Sequence, residues 1–241
     1  MAKEKLIVAL DVDTMQEVEY YVNLLKDEVG MFKIGMQVYN SLGKEVVSRV
    51  KELGGKVFLD LKLHDIPNTV AQATRVLTSL GVDIFNVHAS GGEEMMRKAA
   101  QAAREEAKRL NIPSPMVIAV TILTSLSDED MQAIGYAEDP TNMVKRLGAL
   151  SKKAGLDGVV CSPLEATLIR EVCGKDFISV TPGVRPANSD VADQKRIMTP
   201  KKAIAAGSHY LVVGRPITKA DDPVAAARSI VKEMEEAYVN E

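Results

Sequence analysis

Short runs of β-branched and other apolar residues alternate with longer amphipathic stretches along the chain, eight times over. The runs are Lys5–Val12, Met31–Gly35, Lys56–Leu63, Asp83–His88, Met116–Leu123, Gly158–Ser162, Phe177–Pro182 and His209–Gly214. Most are nearly continuous in hydrophobic residues, as expected of parallel strands covered by helices rather than strands with one wet face. Helical patterns fill the intervals. Asp13-Thr-Met-Gln-Glu opens the first, Asn68-Thr-Val-Ala-Gln the third, and Ser127-Asp-Glu-Asp one after the fifth strand. Gly54, Gly81, Gly155 and Gly207 stand just past four helical segments, where a left-handed residue commonly ends a helix.

Eight βα units in 241 residues predict an α/β protein of the (β/α)8 TIM-barrel class. A doubly wound open sheet is the other architecture weighed. It calls for a Gly-rich turn after the first strand, but that turn reads Leu10-Asp-Val-Asp-Thr14 and lacks GxGxxG. No linker, low-complexity tract or composition shift divides the chain, so residues 1–241 read as one domain.

Composition narrows the functional classes. The formal net charge is −3 and acidic and basic residues are interspersed, which argues against a nucleic-acid surface. No apolar run approaches the ~20 residues of a membrane helix, and the N-terminus lacks the shape of a signal peptide. Cys161 and Cys173, the only two cysteines, show no CxxC or ligand spacing and read as free buried thiols. A soluble cytoplasmic protein is expected.

In a barrel the chemistry lies at the carboxyl ends of the strands. Polar residues gather there: Asp11 and Asp13, Lys33, Asp60 and Lys62 with Asp65 beyond, Asn86 and His88, and Thr121 and Thr124. Asp60 and Lys62 are two apart on a strand, so regular alternation points both side chains into the barrel and Leu59, Leu61 and Leu63 toward the helices. Charge in that interior is costly unless paired. An ion-pair plug is the structural alternative, but two lysines converging with several aspartates on the catalytic rim favour chemistry. Neighbouring carboxylates favour the ammonium form of Lys62. Imine formation needs a neutral amine, so Lys62 reads as a proton donor. Interleaved ammonium groups oppose a bound Mg²⁺. Such a cluster suits a reaction that generates a carbanion and then quenches it.

Thr181-Pro-Gly-Val-Arg185 and Gly214-Arg-Pro-Ile-Thr218 follow the last two strands, where barrels commonly hold phosphate. Glycine admits backbone N–H groups to an anion, and Arg215 can contact a phosphate through two donors. Val184–Arg196, with Asn188, Gln194, Lys195 and Arg196, has the length and polarity of a closing lid. His64, His88 and His209 lack metal-ligand spacing, and His88 reads as a hydrogen-bonded structural residue. Met95 and Met96 read as packing residues, and Arg97–Arg109 as a solvated helix face.

Taken together, Leu10-Asp-Val-Asp13, Phe32-Lys-Ile-Gly35, Asp60-Leu-Lys-Leu-His-Asp-Ile-Pro-Asn-Thr69, Asn86-Val-His-Ala89, Val120-Thr-Ile-Leu-Thr124, Thr181-Pro-Gly-Val-Arg185 and Val213-Gly-Arg-Pro216 resemble the orotidine 5′-phosphate decarboxylases over essentially the whole chain. DxKxxD alone is shared with sugar-phosphate relatives; the extension His64–Thr69 is the more specific part. The resemblance implies decarboxylation of orotidine 5′-phosphate to uridine 5′-phosphate in pyrimidine synthesis, without metal or cofactor, by a homodimer with sites at the subunit interface. It implies that Lys62 protonates C6, with Asp60 and Lys33 in the same site, while Asp65 and Thr69 reach into the partner's site. It places Asp11 and Lys33 at the ribose, Thr124 at the pyrimidine, and Arg185, Arg215 and the Gly214 backbone at the phosphate. Gln194 would bridge from the lid to phosphate and base. Two alternatives stand beside it. One is a Mg²⁺-dependent sugar-phosphate decarboxylase or aldolase, whose second strand carries an acidic ligand where Lys33 stands here. The other is a non-catalytic barrel that only binds phosphorylated ligands.

Overall fold

A computed structural model describes residues 2–186 and 198–238. Its eight strands are β1 (Leu6–Leu10), β2 (Met31–Gly35), β3 (Val57–Leu63), β4 (Ile84–His88), β5 (Met116–Val120), β6 (Gly158–Val160), β7 (Ile178–Thr181) and β8 (Tyr210–Val213). All neighbours pair in parallel, and β1 pairs with both β2 and β8, closing the barrel in sequence order. Each strand lies within a predicted run; β2 spans the whole of its run, and the others stop short at one or both ends.

Each strand is covered on both faces, which is why alternation is absent from the sequence. Ile7, Met31, Phe58, Ile84, Ile118, Val180 and Val212 meet inside the barrel. Val8, Leu10, Phe32, Ile34, Leu59 and Val213 face outward and pack beneath the helices. The helix Met15–Leu25 begins with a capping box in which Thr14 and Glu17 exchange hydrogen bonds, and Ser127 with Asp130 does the same for Asp128–Ala133. The helix after β3 starts at Pro67 and not at Asn68, because proline's fixed φ and missing N–H suit the first helical position. The four glycines expected past helix ends have positive φ, 89° at Gly54 and 81° at Gly155 among them.

Cys161 and Cys173 are buried free thiols. No described helix is long and apolar enough to cross a membrane. The stretch Arg97–Arg109 is less solvated than its composition suggests. Its small residues Ala99, Ala100 and Ala103 are buried, and Glu106, 6% exposed, is held by Arg109.

Candidate active site

Along the barrel interior, successive inward positions pass from an apolar floor to a charged mouth. On β2 they run Met31, Lys33, Gly35, and on β3 Phe58 then Asp60; Lys33 lies beside Phe58, and Gly35 beside Asp60. Asp60 is the hub. Its Oδ2 lies 3.3 Å from Lys33 Nζ and its Oδ1 2.6 Å from Lys62 Nζ. The Asn86 amide also donates to Asp60 Oδ1, at 2.7 Å. Lys33 reaches on to Asp11 Oδ1 at 3.8 Å, so acids and ammonium groups alternate from β1 to β3. Gly35 leaves the space this array needs, since a Cβ there would sit 2.9 Å from Lys33 Nζ.

Burial alone pushes the Asp60 carboxyl up. The charges of Lys33 and Lys62, with hydrogen bonds from Lys62 and Asn86, outweigh it and hold the group below its ordinary range. Asp60 is therefore ionised wherever ordinary carboxylates are. Its contribution to stability is present above the unfolded-state value and is lost only as pH falls through the lower folded-state value.

Lys62 arrives at this meeting by a route that strand alternation does not describe. The β3–β4 register runs Leu59↔Phe85 and then Leu63↔Val87, with an irregularity between. Lys62 has φ +55°, in the left-handed region, a conformation that costs a residue with a Cβ about 1–2 kcal/mol. Its backbone N–H donates to Asn86 Oδ1 at 2.8 Å. Asp60 and Lys62 do share the mouth, and Leu61 and Leu63 pack on the outer core as expected, but the β3–β4 ladder is interrupted at the lysine.

Above this cluster lies a cavity of about 280 Å³. Asp11, Lys33, Asp60 and Lys62 line one wall. Phe58, Val120, Ile122, Leu123 and Val160 add apolar lining, and Thr124 lines the cavity as well. Arg185, Gly214 and Arg215 complete the lining from the loops after β7 and β8. Arg185 is 7% exposed and donates to the Val184 carbonyl. Gly214 passes close to β1, where a Cβ would stand 3.4 Å from that of Ala9 and 3.5 Å from Asp11 Oδ2.

Eight of the expected site residues therefore converge on one cavity. Asp65 and Thr69 do not: both are exposed beyond β3, and Asp65 Oδ1 accepts the Ile66 backbone N–H. Gln194, with Asn188, Lys195 and Arg196, lies outside the described residues. Two contributors were not anticipated: the double hydrogen bond of Asn86 and the room left by Gly35. Asn86 was visible as a polar strand end, but its partners depend on the β3 irregularity.

Among the described residues no hydrogen bond holds the His88 ring, contrary to expectation. It packs against His64 with ring centroids 5.4 Å apart, and burial, then the charges of His64 and Lys62, lower its pKa. His209 sits near the start of β8, at the opposite end of the barrel, with Nε2 3.0 Å from the Lys175 carbonyl and Nδ1 3.0 Å from Ser179 Oγ. No group of three or more His, Cys, Asp or Glu side chains placed to hold a metal occurs among the described residues.

Comparison with known proteins agrees with this geometry. The profile of the "Orotidine 5′-phosphate decarboxylase / HUMPS family" matches residues 4–230. The chain is 54% identical over 235 residues to orotidine 5′-phosphate decarboxylase of Moorella thermoacetica, covering 97% of this chain and 93% of that protein. It is 53% identical to the Syntrophotalea carbinolica protein of the same name, with 97% and 96% covered. The crystal structure of orotidine 5′-phosphate decarboxylase from Lactobacillus acidophilus superposes with a TM-score of 0.83 at 38% identity, covering 95% of this chain and 98% of the other. The chain belongs to the orotidine 5′-phosphate decarboxylase / HUMPS family.

Proposed function

We propose that this protein decarboxylates orotidine 5′-phosphate to uridine 5′-phosphate and CO₂, as a single-domain cytoplasmic carboxy-lyase of pyrimidine nucleotide synthesis that needs no metal or cofactor. The observation that carries this reading is the ammonium of Lys62, 2.6 Å from Asp60 and beside Lys33, beneath a cavity bounded by Arg185 and Arg215. Loss of CO₂ from C6 of the orotate ring leaves a vinyl carbanion that the ring delocalises poorly. Stabilisation then falls to charges already in place. Lys62 supplies the nearest positive charge and delivers its proton to C6. Asp60 keeps that ammonium aimed at the cavity and faces the departing carboxylate.

The remaining residues place the nucleotide. Asp11 and Lys33 take the ribose, Thr124 the pyrimidine, and Arg185, Arg215 and the Gly214 backbone the phosphate, with Gln194 reaching in from the lid. Phosphate binding is remote from C6, yet its binding energy can align the charged cluster and close the site. Two ammonium groups already engage Asp60, which opposes a dication at the same carboxylate. That favours this reading over the Mg²⁺-dependent sugar-phosphate chemistry also found behind the DxKxxD pattern.

Asp65 and Thr69 serve a second copy in this reading. They lie on an exposed edge together with Ile66, which is 67% exposed, an apolar residue suited to burial between subunits. A homodimer with its two sites at the interface gives both polar residues a substrate to touch.

Purified protein treated with EDTA is expected to convert orotidine 5′-phosphate at an undiminished rate, followed by the fall in substrate absorbance. Activity lost to EDTA and restored by Mg²⁺ would favour the metal-dependent alternative, and tight uridine 5′-phosphate binding without CO₂ release would favour a non-catalytic barrel. Arg215→Ala is expected to lower kcat/KM for the phosphorylated substrate by roughly 10²–10³-fold, since a charge-assisted bidentate contact is lost. The nucleoside lacking phosphate should lose less than about threefold on the same principle. Equal losses on the two substrates would remove Arg215 from the phosphate site.

A further inference from the structure

Asn86 lies on β4, is 1% exposed, and stands behind the wall of the cavity rather than in its lining. Both ends of its amide are occupied. Nδ2 donates to Asp60 Oδ1 at 2.7 Å, and Oδ1 accepts the Lys62 backbone N–H at 2.8 Å. The partners fix the orientation of the amide, because a backbone N–H only donates and a carboxylate only accepts. One side chain thus ties the carboxylate to the backbone of the lysine paired with it.

The strand pairing shows why a side chain is needed there. Between the pairs Leu59↔Phe85 and Leu63↔Val87, β3 advances from 59 to 63 while β4 advances only from 85 to 87. The surplus residues of β3 swing toward the mouth and leave the regular ladder. A buried backbone donor without a partner is costly, and Asn86 Oδ1 replaces the missing ladder acceptor. The same contact holds Lys62 at φ +55°, the turn that directs its side chain to Asp60.

We propose that Asn86 is a positioning residue for decarboxylation, setting the backbone of Lys62 and the near oxygen of Asp60 in one geometry without touching substrate. The inference rests on Lys62 as proton donor. An inactive Lys62→Ala enzyme with indifferent Asn86 variants would sink only this inference, whereas an active Lys62→Ala enzyme would sink the reading beneath it.

The test uses the full chain with two variants. Asn86→Leu keeps an apolar filling of similar size but neither hydrogen bond. Asn86→Asp keeps an acceptor for the Lys62 N–H and replaces the donor to Asp60 with a second carboxylate. The charged and titratable groups otherwise facing Asp60 are Lys33 on β2, Lys62 on β3 and His88 on β4, with Asp11 of β1 behind Lys33, and they are the same in both. Steady-state rates would be measured from about pH 4 to about pH 9, with uridine 5′-phosphate affinity by calorimetry. Asn86→Leu is expected to lower kcat by about 10–100-fold with KM and product affinity within about threefold, a loss confined to the reacting geometry. Asn86→Asp is expected to raise the acid limb of kcat/KM by about one pH unit or more, because adjacent carboxylates disfavour a second charge. Wild-type kcat in Asn86→Leu, or an unmoved acid limb in Asn86→Asp, overturns the proposal. Should Asn86→Leu fail to fold, the near-isosteric Asn86→Asp decides alone. A merely structural role lowers the melting temperature of both variants without moving the acid limb.

Discussion

Replacing Lys62 with alanine is expected to abolish turnover of orotidine 5′-phosphate, a loss of at least about 10⁴-fold in kcat, while uridine 5′-phosphate still binds. The size follows from the two tasks one group performs. A preorganised charge at the developing anion contributes about 10²–10³-fold, and a positioned proton donor about 10²–10⁴-fold. Both vanish with the ammonium. Binding should change by less than about tenfold, because the phosphate contacts proposed to dominate it belong to Arg185 and Arg215, cavity-lining residues from the loops after β7 and β8. Single-turnover assays with calorimetry of product binding would measure both quantities. Near-normal turnover would falsify the assignment of Lys62.

Mixing two inactive proteins should restore activity. On the proposal of sites shared across a homodimer, Lys62→Ala and Asp65→Ala proteins are each expected to be nearly inactive, since every site lacks one of the two residues. In a mixed dimer one site combines Lys62 of the Asp65→Ala chain with Asp65 of the Lys62→Ala chain, and is intact. The other site lacks both. Random exchange makes half of the dimers mixed, so about a quarter of wild-type activity should appear. Activity appearing as subunits exchange supports the shared site. No recovery in a mixture that demonstrably contains mixed dimers would place Asp65 with its own chain's Lys62.

Much of this architecture was legible in the residues. Strands with both faces covered write themselves as apolar runs, which is why β2, as Met31–Gly35, could be bounded to the residue. The caps at Thr14 and Ser127 were legible because their chemistry is local. The convergence of Lys33, Asp60 and Lys62 followed from their place near strand ends in a barrel. The path of the chain through Lys62 did not. Alternation is a property of one strand, whereas a shift in register belongs to a pair, and the pairing of β3 with β4 is invisible from either segment alone. Gly35 was equally silent, since its missing side chain matters only through where Lys33 lies. The separate roles proposed for Asp65 and Thr69 rest on family resemblance, as no spacing within one chain announces a neighbour.

The close approach of Gly214 to Ala9 and Asp11 joins the last strand to the first, and this seam runs through the cavity. Contacts between opposite ends of a chain form late, because a long loop must close before they yield any gain. A ribosome-bound chain lacking β8 holds Lys33, Asp60 and Lys62 but neither Arg215 nor the strand that closes the ring. Catalytic competence therefore cannot precede synthesis of β8 and the loop after it, and no activity can return during refolding before this seam has closed.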